Sequence, residues 1–199
     1  MAEISLPDIG LVVQCLYLLG TAAGFAFAAG SPLPAALFWG IGCGLQLALA
    51  AVELADRLGL PGLAGFQPAL RFHNLTLGGL ALAFGALLGL ILPPGTKRIA
   101  LITGIGLALL GAVAAERLPL FHLPMPLIVL GVLMLAVLIG LRHRPAPARW
   151  LLVGTLLLAL AELARHRYLT GLPLAPEDAG RVFAGIGFLC CGLTARASA

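Results

Sequence analysis

From Ile9 to Val52 the chain carries no charged side chain, and several more long apolar runs follow it. A helix needs roughly 20 apolar residues to cross a hydrocarbon core about 30 Å thick, and in lipid only helices or closed barrels satisfy their own backbone. Composition points the same way. With 61% hydrophobic residues, 10% charged residues and a mean hydropathy of +1.08, a water-soluble fold would expose more apolar surface than it could tolerate. Charges and prolines divide the chain into seven spans, near residues 9 to 30, 34 to 55, 72 to 92, 98 to 116, 120 to 141, 149 to 168 and 179 to 195. The expected fold is all-α, a polytopic integral membrane bundle of seven transmembrane helices forming one domain over residues 1 to 199. The first span is too long, and too poor in basic flanking residues, for a cleaved signal peptide, so it is read as an anchor.

Seven spans put every acid on one side: Glu3, Asp8, Glu53, Asp56, Glu116, Glu162, Glu177 and Asp178, together with His73, His122 and His166. The other side holds Lys97, Arg98, Arg142, His143, Arg144, Arg149 and Arg196. Lysine and arginine alone divide evenly, because Arg57, Arg71, Arg117, Arg165, Arg167 and Arg181 lie with the acids. Arg57, Arg117, Arg165 and Arg181 each follow an acid within four residues, which leaves the uncompensated positive charge on the opposite side. The positive-inside rule then makes the N-terminus extracytoplasmic and the C-terminus cytoplasmic in the cell membrane.

Of the 26 glycines, Gly20 and Gly24, Gly40 and Gly44, and Gly85 and Gly89 fall at small-xxx-small spacing, which lets helix backbones approach closely in lipid. Turns are expected at Ser31 to Leu33, Pro93 to Gly95 and Arg117 to Pro119, where proline and glycine stop helices. Longer connections at Leu58 to Arg71 and Thr170 to Glu177 lie on the acidic side and are candidate lids. Cys15, Cys43, Cys190 and Cys191 all fall inside spans and read as small apolar fillers.

Candidate functional groups gather at the acidic helix ends. Glu53 precedes Arg57 by four residues, Glu177 precedes Arg181 by four, and Glu162 stands three before Arg165 and four before His166; these spacings share a helix face. If the sixth span enters lipid near Arg149, Glu162 lies roughly 20 Å along it, the deepest carboxylate in the chain. An ionisable group inside a membrane costs about 2.5 to 3.5 kcal/mol or more, which makes it a functional candidate. The ligand or proton-coupling set is therefore Glu162, His166, Arg165, Glu53 and Arg181. Glu162 and His166 could also ligate a metal with His73 and His122 from neighbouring helices, a nitrogen and oxygen set suited to activating water. No HExxH, phosphate loop, GxSxG elbow or nucleic-acid motif occurs.

Two placements resemble known architectures. Glu53-Leu54-Ala55 at the end of the second span and Glu162-Leu163-Ala164 at the end of the sixth are offset as in the three-plus-one-plus-three repeat of small sugar transporters, without their proline-glutamine motif. The clustering of polar residues at one end is similar to the seven-helix alkaline ceramidase and adiponectin-receptor hydrolases. Their His-x-x-x-His is replaced here by Glu177-x-x-x-Arg181, so no ligand carries over residue by residue.

The leading reading is a protein that binds or transports a small polar or anionic solute through an extracytoplasmic vestibule. One alternative is a metal-dependent seven-helix lipid hydrolase using Glu162, His166, His73 and Glu53; another is a structural subunit of a membrane complex. The expected partners are the lipid bilayer, a small-molecule ligand and either further copies of the chain or a larger complex, with no nucleic acid. The sequence names no cofactor and leaves enzymatic activity open.

Overall fold

Prolines and turn residues set where the helices begin and end. In the computed structural model, which describes residues 6–31, 35–60, 62–91, 106, 125–169, 171 and 173–198, the regular elements are helices. They are α1 (Leu6–Ala29), α2 (Ala35–Arg57), α3 (Gln67–His73), α4 (Gly79–Ile91), α5 (Met125–His143), α6 (Pro145–Arg165) and α7 (Pro176–Ala197). A wide π turn, Asn74–Gly78, joins α3 to α4 in one run. Among the described residues six helices are long and apolar enough to cross a bilayer, the α3–α4 run counting as one, as befits a multi-pass membrane protein. Apart from Gly106, the expected fourth span, 98 to 116, lies outside the described residues.

Two boundaries differ from expectation for one reason. The third helical run starts at Gln67 rather than 72, and α6 covers 145 to 165 rather than 149 to 168. Proline opens α3, α6 and α7 in their first turns, where its missing N–H has no helical partner to lose; read as a loop residue, it delays the predicted start. At the far ends, Gly59 (φ 72°) follows α2 and Arg167 (φ 60°) follows α6. The Leu60 N–H donates to Ala55 O, and the Tyr168 N–H to Leu163 O, closing both helices with left-handed caps.

The helices pack in cyclic order α1, α2, α4, α5, α6, α7 and back to α1. Glycine closes the ring. A Cβ on Gly20 would stand 2.6 Å from the Gly185 carbonyl oxygen, and one on Gly24 would strike the Phe188 backbone. Of the other spaced pairs, Gly85 lies against Trp39, whereas Gly40 has nothing within 4 Å. α7 is the most buried span, packed on α1, α6 and α2. The main core joins Trp39, Leu82, Leu133, Val137, Leu151 and Phe188, and a smaller cluster of Tyr17, Ala50, Ala161 and Ala184 lies between α1, α2, α6 and α7. α4 and α5 run parallel: Gly79 meets Val129 near their starts, and Gly140 meets Leu90 near their ends.

Side-chain contacts fix the two ends of the bundle. Arg57, Glu53, Arg71, Asp178 and Arg181 meet at one. At the other, Arg144 Nη1 donates to the carbonyl oxygens of Gly89 and Ser198, and Arg196 lies over the Phe27 ring.

Candidate functional site

Three helix ends build a chain of ion pairs at the acidic end. Arg181, in the second turn of α7, donates from Nη1 to Asp178 Oδ1 at 2.8 Å and places Nε 3.5 Å from Glu53 Oε2 on α2. Arg71 of α3 donates to Glu53 Oε1 at 3.0 Å, and Arg57 of α2 donates to Asp178 Oδ1 at 3.3 Å. Both carboxylates thus hold two guanidinium groups. Glu53, Arg181 and Asp178 are only 13%, 14% and 16% exposed, so the pairs sit where attraction is less screened than on an open surface. Asp178 also lies in the first turn of α7, where the helix dipole favours a negative charge.

Glu53 with its partners Arg71 and Arg181 forms one wall of a cavity of about 320 Å³, lined also by Gln46, Leu49, Asn74, Arg165 and Glu177. Its innermost side chains are neutral and linked: Asn74 Nδ2 donates to Gln46 Oε1, and Gln46 Nε2 donates to the buried Tyr17 hydroxyl. Asn74 opens the π turn, a widening of the helix that recurs at functional sites. A second space of about 90 Å³ adjoins the first and shares Gln46, Asn74 and Arg165 with it. Its other walls are mainly aliphatic, from Leu82, Val129, Leu130 and Leu158, with Glu162 at the edge. Arg165 lies on both spaces and donates to Glu162 Oε1 at 3.0 Å.

Of the residues singled out from sequence, Glu53, Arg165 and Arg181 come together on the larger cavity, and Glu162 borders the smaller. His166 borders neither; its Nε2 is 3.9 Å from Glu162 Oε2 and its side chain is 69% exposed. Glu162 is three residues from the end of α6, about 4.5 Å along the axis, closer to the helix end than its sequence position implied. His73 is exposed, with its ring edge-on to the neighbouring Phe72, and His122 lies outside the described residues. Among the described residues no group of three His, Cys, Asp or Glu is placed to hold a metal.

The sequence reading missed Arg71 as a wall residue, and Gln46 and Tyr17 as its inner neighbours. Gln46 and Tyr17 did carry a signal: a lone polar group in an apolar run has to find a hydrogen-bond partner, because burying it unpaired is costly. Arg71 carried none, since it was placed in a loop. No family model, curated protein or solved structure matches this chain.

Proposed function

We propose that the protein binds a small polar or anionic solute in this cavity and carries it across the cell membrane. One observation supports the reading above the rest: Arg71, Arg165 and Arg181 line a single space of about 320 Å³. Guanidinium forks match carboxylate and phosphate oxygens bidentately and keep their charge at any working pH. Three arginines against Glu53 and Glu177 leave one positive charge in excess on the lining (3 − 2 = +1). Glu53 then acts as a resident counter-ion that occupies Arg71 and Arg181 until a solute anion competes for them. Glu162 plays the same part for Arg165, with His166 beside it as the second member of the proposed coupling pair.

The orientation proposed with this function opens the cavity on the extracytoplasmic side, with the N-terminus there and the C-terminus cytoplasmic, on the strength of the uncompensated arginines at the other end. Seven crossings belong to the same proposal. Parallel neighbours α4 and α5 support them, because a chain leaving one end of the bundle and re-entering from the other has to cross once more.

Ligand-induced thermal stabilisation tests the reading, on protein in phosphatidylcholine nanodiscs at constant ionic strength. Small carboxylates and phosphate esters should raise the unfolding temperature, cations of equal size should not, and Arg165→Gln should abolish the rise. Uptake of the stabilising anion into proteoliposomes then separates transport from binding. A second reading, a structural subunit, is favoured by the fact that Arg57, Arg71 and Arg181 already have carboxylate partners. It predicts no stabilisation by any anion and co-purification with other subunits.

A further inference from the structure

We infer that the ligand of this cavity is an amphiphile, a singly charged anionic headgroup held by Arg71, Arg165 and Arg181 with an apolar tail lying in the adjoining aliphatic recess. The inference rests on the anion-binding reading above and adds the tail. Its ground is the joining of two unlike spaces. The arginine cavity and the recess share Gln46, Asn74 and Arg165, so a ligand held by its charge at Arg165 has Leu82, Val129, Leu130 and Leu158 as its next neighbours. A purely polar solute would leave those walls uncovered. A neutral apolar molecule would leave three guanidinium groups without a ligand.

Once the headgroup displaces Glu162 of the recess from Arg165, the lining of the arginine cavity carries one net positive charge when Glu53 and Glu177 are ionised. A monoanion neutralises it, whereas a dianion would meet Glu53 at close range. The tail length follows from the recess. About 90 Å³ accommodates about three groups the size of a water or methylene, so the recess holds the first few carbons of a chain.

A second, independent observation places the cavity among lipids. On the same end of the bundle the connection after α2 and helix α3 expose Leu58, Leu60, Phe66 and Phe72, each more than 40% accessible. Water alone disfavours such a collar. The interface between headgroups and acyl chains accepts it, and a ligand arriving at that depth is itself amphiphilic.

The test uses the full chain in phosphatidylcholine nanodiscs, with calorimetric affinities for acetate, propanoate, butanoate and pentanoate corrected for binding to empty discs. A parallel series of alkyl methyl phosphodiesters distinguishes a free carboxylate from a phospholipid-type headgroup, and pentanol controls for the tail alone. The expected result, in either series, is a gain of about fourfold per added methylene over about the first three, the value of burying one CH₂. Leu130→Phe should flatten that gain while acetate affinity is kept. Should this variant not fold, the wild-type series decides by itself. Equal affinity for acetate and pentanoate overturns the tail and leaves anion binding standing. Failure of every anion in both series overturns both readings, as does pentanol binding as tightly as pentanoate.

Discussion

Replacing Arg181 with Gln removes the side chain that joins Glu53 to Asp178. At an effective dielectric of about 20, its contacts at 2.8 Å and 3.5 Å represent about 6 and about 5 kcal/mol of gross attraction. Desolvation of three nearly buried charges offsets most of this. The quantity that matters is the charge left behind, and breaking a buried pair costs about 3 to 5 kcal/mol. Here the residue is smaller, because Asp178 keeps Arg57 and Glu53 keeps Arg71. We expect a loss of about 2 kcal/mol, or a fall of about 4 to 8 °C in unfolding temperature for a chain of this size, read by tryptophan fluorescence in mild detergent. A second substitution sharpens the argument. Glu53→Gln added to Arg181→Gln should recover part of the loss, since a nearly buried carboxylate left with only one of its two guanidinium partners disappears while Arg71, 56% exposed, is solvated by water. An unfolding temperature for Arg181→Gln within 1 °C of wild type (about 0.3 kcal/mol), or a double variant that loses the full sum, refutes the reasoning.

Three further outcomes follow from the packing. Gly24→Leu should prevent α1 and α7 from closing and cost about 3 kcal/mol or more, whereas Gly40→Ala, with open space around it, should stay within about 0.5 kcal/mol of wild type; monodispersity on size exclusion and thermal unfolding read both. Arg167→Gly relieves a left-handed backbone (φ 60°) and should stabilise by about 1 kcal/mol in the same unfolding assay. Gln46→Leu strips partners from the Tyr17 hydroxyl and the Asn74 amide and should cost about 1 to 3 kcal/mol, with Gln46→Glu serving as the control that keeps an acceptor for Asn74.

The bundle was legible because lipid imposes a simple rule: a span is an uncharged apolar run, and charges mark its ends. That rule placed α1, α2, α5 and α7 well, and it set Glu53, Arg165 and Arg181 at the same end. It could not say which helix ends adjoin. The packing that seats α7 against α1, close enough to α2 to bring Arg181 to Glu53, depends on glycines meeting carbonyls across α1 and α7, a contact invisible in either run alone. Hydropathy also misjudged Arg71, because a charge within a proline-led stretch reads as loop. Here Pro68 opens a helix, and the next turn carries the guanidinium onto the cavity. His166 stands outside both cavities for the opposite reason. Its spacing from Glu162 was real, yet helix geometry fixes only the shared face and leaves open whether that face turns inward.

α7 is both the least apolar of the six spans and the most buried. A helix that lipid itself welcomes only weakly is retained by its neighbours, so its insertion waits for a groove between α1, α2 and α6. Arg181 and Asp178 arrive with it. Without α7 in place Glu53 would lack Arg181, so the ion-pair chain is complete only when α7 is seated. Completion of the bundle and closure of the arginine-lined cavity are one step, so a chain released before α7 would lack the cavity wall.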